Sequence, residues 1–128
     1  MAKHDIPPEV RRFILTSIPS VPHLEALILI RATAPASWTP TALAQRLYVP
    51  AAVARDVMEH LCQAGMLACD ASTLSYTLHT RTDELEGVID ALAHQYSSNL
   101  VDITLLIHSK LDRKAQQFAD AFNFRKET

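Results

Sequence analysis

The sequence predicts a mainly α-helical fold with one small β-hairpin, and three observations carry that expectation. Apolar residues recur at three- and four-residue spacing over most of the chain. One short stretch, Leu74 to Leu78, alternates instead with a period of two. Proline or a hydroxyl residue stands at the start of one helical pattern after another. With 128 residues, 48% of them hydrophobic and 20% charged, the chain has enough material for the core of one domain. Only 2 glycines argue against a linker or a disordered tail.

Pro7-Pro8 suits the first turn of a helix, where a missing N–H costs nothing, and Glu9 suits its positive end. Val10, Phe13, Ile14 and Ile18 then share one face up to Pro19. Ser20 is placed to cap a second helix, about Val21 to Ala34, with Pro22 in its first turn and Pro35 beyond its end. That helix is apolar nearly all round (Leu24 and Ala26 to Ile30), so it belongs in the middle of the domain. Trp38 lies in a short extended piece. Thr39-Pro40 opens a third helix reaching Leu47, with Ala42, Leu43, Ala44 and Leu47 inward. Tyr48-Val49 makes a turn, and Pro50 opens a fourth helix to about Ala64. Its inward residues are Ala54, Val57, Met58 and Leu61, and Gly65 stops it.

Met66 to Ala68 reads as a strand and Asp70-Ala71-Ser72-Thr73 as a turn. Leu74, Tyr76 and Leu78 then alternate with Ser75, Thr77 and His79, one side buried and one wet. Thr82 caps a fifth helix whose first turn carries Asp83, Glu84 and Glu86. Leu85, Ile89, Leu92, Tyr96, Asn99, Ile103 and Leu106 follow in steps of four and three. Such a seam predicts a long helix to about His108 that dimerises with a second subunit, Asn99 fixing the register. In the alternative, the helix breaks near Ser97-Ser98-Asn99 and its second half packs internally. The tail holds Leu111, Ala115, Phe118, Ala119, Phe122 and Phe124, an amphipathic segment expected to dock on this protomer, a second one or another protein. The expected organisation is 1–82 for the first helices and hairpin and 83–128 for the dimerisation helix and tail, in one compact unit.

The net charge is −2. Thr39 to His79 holds Arg46 and Arg55 against Asp56, Glu59 and Asp70, while Asp83 to His108 holds acids and no Lys or Arg. No apolar run approaches the ~20 residues of a membrane span, and Met1 to Asp5 lead into Pro7-Pro8, so neither a span nor a signal peptide is expected. Cys62 and Cys69 do not make a disulfide framework, and a reduced cytoplasm suits them. There is no Gly-rich phosphate loop, no Gly-x-Ser-x-Gly elbow and no His-Glu-x-x-His helix, so no catalysis is expected. His60 and Cys62, two apart on a helix, point about 200° away from each other and cannot share an ion. With Met58 and Cys69 they form no convincing ligand set, and neither metal nor cofactor is expected.

The order of these elements resembles the winged-helix superfamily and is similar to the small MarR-like and PadR-like bacterial transcriptional regulators. Thr39 to Leu47 looks like the first helix of a helix-turn-helix, Pro50 to Leu61 like its recognition helix, and Gln63-Ala64-Gly65-Met66-Leu67 like the entry to the wing. The resemblance implies a winged helix-turn-helix followed by a long dimerisation helix, with double-stranded DNA as partner. A recognition helix enters the major groove while the wing touches the flanking backbone. On that basis the expected contacts are Arg55 to a base or phosphate, Arg46 to the backbone, and Thr39, Thr41, Ala51 and Ala52 around them. Asp56 and Glu59 share the wet face, and the wing tip from Asp70 to Thr73 has no basic residue. The alternative is a winged-helix adaptor that binds protein and not DNA, with Phe118, Phe122 and Phe124 as a contact segment.

Overall fold

Three of the helices begin where a hydroxyl side chain accepts a hydrogen bond from the backbone N–H three residues on. Ser20 does this for His23, Thr39 for Ala42 and Thr82 for Leu85. Each such cap stabilises its helix by about 1 kcal/mol. The computed structural model describes residues 6–109, together with Gln117 and Ala119. Its elements are α1 (Pro8–Ser17), α2 (Val21–Ala32), α3 (Pro40–Leu47), α4 (Ala51–Gln63), β1 (Leu67–Asp70), β2 (Ser75–Leu78), α5 (Asp83–Ser98) and α6 (Leu100–Ser109). Among the described residues no single helix is long and apolar enough to cross a membrane.

The α3–α4 pair is joined through Tyr48, whose backbone is left-handed at φ 58° and whose N–H donates to the carbonyl of Ala44. Leu43 and Ala44 of α3 and Ala54, Val57, Met58 and Leu61 of α4 turn inward against the nearly all-apolar α2. Gly65 follows at φ 84°, with the Arg81 side chain close over it. The chain can then reverse into the hairpin, where Leu67 pairs with Leu78 and Asp70 with Ser75 in antiparallel register. Trp38 adds a one-residue third strand: it exchanges two 2.8 Å backbone hydrogen bonds with Tyr76. The result is a winged helix, as the sequence pattern implies.

Two expectations need correction. Leu74 was expected on the buried side of a strand, but it lies in the wing turn at φ 52° and is 60% exposed. The alternation starts at Ser75, and only Tyr76 of this group is fully inside.

The second correction concerns the long helix. It stops at Ser98, and Asn99 (φ −127°, ψ 35°) ends α5 by donating its backbone N–H to Gln95 at 2.7 Å. The Asn99 carbonyl accepts from Ile103, so the same residue starts α6. Its side-chain amide also donates to Gln95 Oε1. Asn99 is thus a buried joint between two helices, in place of a register-fixing polar residue in a seam. The apolar seam residues are inside one protomer: Ile89, Leu92, Ile103 and Leu106 belong to its core, and Leu85 and Tyr96 pack on that core half-buried. α1 packs against α5 and contributes Val10, Phe13 and Ile14 to the same core, joined by Ile18 just after its end. Steps of four and three describe a helix face that needs a helical neighbour, and for the α5 part of the seam α1 supplies it. What remains outside is another set, Leu100 (46% exposed), Val101 (69%) and Leu105 (57%) on α6. Phe118, Phe122 and Phe124 lie outside the described residues; Ala119 is helical and exposed.

Candidate nucleic-acid interface

The inward residues of α4 sort its remaining side chains by periodicity alone. Ala51, Ala52, Arg55, Asp56 and Glu59 all face outward, opposite Ala54, Val57, Met58 and Leu61. Among the described residues Arg55 makes no ion pair or hydrogen bond. It stands in an open concavity of about 470 Å³ lined also by Thr39, Pro40 and Thr41 at the start of α3, by Glu59, and by Thr73, Leu74 and Tyr76 of the wing.

Three of the residues singled out from sequence (Thr39, Thr41 and Arg55) are therefore brought to one place. The other three are exposed but outside the concavity: Arg46 near the end of α3, and Ala51 and Ala52 on the first turn of α4. The Thr39 oxygen accepts from Ala42 N–H at 3.2 Å, which leaves its own O–H free to donate outward. Sequence reasoning missed Thr73 and Leu74 as lining residues, because a strand period treats Leu74 as core. Tyr48, which a sequence reading takes for a packing residue, is instead 94% exposed.

Charge at the site is mixed. Glu59 sits in the concavity with Arg55, and Asp56 is beside it in sequence. Asp70 at the wing tip is committed to its own turn. Its Oδ1 accepts from Ser72 Oγ–H at 2.6 Å and Ser72 N–H at 3.0 Å. Those bonds, the side-chain one foremost, hold the carboxyl below its usual range.

The far half of α4 is tied to α2 by two histidines. His60 Nδ1 lies 3.0 Å from His23 Nε2, the rings stack with centroids 5.3 Å apart, and Ser20 Oγ lies 2.6 Å from His23 Nδ1. Each of these contacts needs one donor and one acceptor, so a single proton serves the space between the rings. Burial, which disfavours a charged ring, and next the neighbouring His60 lower the His23 pKa from the ordinary imidazole value. The unfolded chain therefore takes up the proton that charges the His23 ring more readily than the folded one. The contribution to stability is complete above about pH 6.5 and is lost as pH falls from there through the folded value. Urea midpoints measured at about pH 7.5 and about pH 5 are expected to fall with acid in the wild type and to fall less in His23→Gln. Equal acid sensitivity of the two proteins would take this role away from the pair.

Cys62 is half-buried and Cys69 exposed, and both are free thiols. Among the described residues no three His, Cys, Asp or Glu side chains come together to hold a metal.

No protein-family model matches the chain, and no curated protein matches it. Among solved structures it is similar to the adhesin competence repressor of Streptococcus pyogenes. That likeness has 17% sequence identity and a TM-score of 0.49, over 91% of this chain and 89% of the other. The winged helix stands on the chain's own strand pairing and helix order.

Proposed function

We propose that this protein is a winged-helix DNA-binding protein, a small bacterial-type transcriptional regulator acting as a homodimer in the cytoplasm. The observation that carries this reading is Arg55: a guanidinium unpaired among the described residues and facing outward from α4, in the concavity where the start of α3 meets the wing. With α4 in the major groove, a guanidinium there can grip guanine O6 and N7 together, or a phosphate. Thr39 and Thr41 supply hydroxyls for the backbone, and Arg46 supplies a further charge.

Few cations per protomer mean few released counterions and low affinity per site, so two protomers on one duplex are part of the reading. The surface proposed for the second copy is the outer face of α6, since the seam expected from sequence is core. Covering Leu100, Val101 and Leu105 contributes on the order of 1 kcal/mol each.

Retention of the full chain on a random duplex tests the reading. Binding is expected at ~50 mM salt, where phosphate-driven affinity is largest, with loss on raising salt along a shallow slope. Absence of binding at ~50 mM would overturn it. A second reading, an adaptor that docks protein and not DNA, is favoured by the exposed apolar Tyr48 and Leu74 together with the exposed acids Asp56 and Glu59. Phe118, Phe122 and Phe124 belong to that reading as a contact segment. It predicts no duplex retention at any salt.

A further inference from the structure

We propose that the leading turn of α4 selects its duplex through thymine methyl groups. In this arrangement Ala51 and Ala52 lie against the C5-methyls of one or two thymines, beside a guanine held by Arg55. This rests on the DNA-binding reading above and adds the sequence class that the site takes.

The leading turn of α4 is poor in hydrogen-bond donors. From Ala51 to Val57, Arg55 is the one side chain that can donate a hydrogen bond. Ala51 and Ala52 are both exposed, and Val53 is 37% exposed. Tyr48, in the turn just before, is 94% exposed and uncharged. A recognition helix offers its N-terminal residues to the base edges. The end of α4 that should read bases is therefore made of methyl groups.

In the major groove guanine, cytosine and adenine present hydrogen-bonding atoms and no methyl, whereas thymine adds an apolar methyl. A methyl side chain pressed on a polar edge displaces water and returns no hydrogen bond, which is unfavourable. Pressed on a thymine methyl, it removes two apolar surfaces from water. Attraction to one base and penalty at the others point the same way.

Spacing places the guanine. Ala51 and Ala52 precede Arg55 by four and three residues, so the three share one helix face. At ~1.5 Å rise per residue, Arg55 lies about 4.5–6 Å further along α4. Base pairs are ~3.4 Å apart, so guanine and thymine fall within about two base pairs of each other. Asp56 and Glu59 carry no donor and do not compete for that guanine.

The test uses the full chain and a duplex selected by it from a random library. Each thymine is replaced in turn by deoxyuridine, which keeps the hydrogen-bonding atoms and lacks the methyl. Affinity is read by fluorescence anisotropy at fixed salt. Replacement at one or two positions is expected to weaken binding roughly three- to five-fold, the size of one buried methyl. A 7-deazaguanine within two base pairs should weaken it as well. In Ala52→Gly the deoxyuridine penalty should shrink at one of those positions. Selected duplexes that bind equally well with deoxyuridine at every position would overturn the thymine inference and leave the DNA-binding reading standing. Failure to select any duplex would overturn both.

Discussion

Leu92→Glu is expected to unfold the protomer, not to separate a dimer. Leu92 has no exposed surface and lies in the core that α5 shares with α1. Losing a buried leucine costs about 2–5 kcal/mol before any charge is considered. Among the described residues the new carboxylate would meet an apolar lining, Val10, Phe13, Ile14, Ile18, Ile89 and Ile103, with no cation in that core. An unpaired buried charge adds several kcal/mol, or else binds a proton and remains an unsatisfied acid. Small domains are stable by about 5–15 kcal/mol in total, so the substitution consumes most of that margin. Circular dichroism should show loss of the cooperative thermal transition. A variant with native-like spectrum and melting, but half the mass in light scattering, would return Leu92 to an intersubunit surface. Val101→Glu is the matched comparison. Val101 is 69% exposed on α6, so the variant should keep its fold and lose mass only if α6 is where two copies meet.

Arg55→Ala is the second large effect, and it is expected in binding alone. The side chain is exposed and unpaired among the described residues, so stability should change by no more than about 0.5 kcal/mol. Loss of a bidentate contact to guanine should weaken binding to a selected duplex by about 1–3 kcal/mol, roughly 5- to 150-fold. If Arg55 grips a phosphate instead, binding weakens on all sequences alike and the salt slope drops by about one unit. Competition with a random duplex separates the two cases. An unchanged affinity on both duplexes would remove Arg55 from the interface and, with it, the observation on which the proposed function stands.

The sequence was most informative where structure is local. Ser20, Thr39 and Thr82 were read as caps because a cap is a bond between residues three apart, and each accepts from the predicted turn. The two faces of α4 were legible because a 3.6-residue period sorts inward Val57 and Met58 from outward Arg55 without reference to any neighbour. Leu74 marks where this failed. An alternating pattern does not distinguish the first residue of a strand from the last of a left-handed turn. The concavity around Arg55 was not legible either. It exists because the bridge between Trp38 and Tyr76 holds the wing against the start of α3, across 38 positions of chain. The pairing of His23 with His60 is equally non-local, the two being 37 positions apart.

Sequence by itself determined where most of the helices begin, which residues turn inward on α1 to α5, and that one hairpin follows the helix pair. Those properties depend on hydrogen bonds and periodicities within about four residues. Only the tertiary structure decided what fills each inward face. A seam of Leu85, Ile89 and Leu92 has the same spacing whether its neighbour is a second chain or α1 of the same chain. Burial is non-directional, and a hydrophobic stripe does not name its partner. The break at Asn99 brought the second half of the seam into the protomer's own core, and that left Leu100, Val101 and Leu105 as the apolar face of α6.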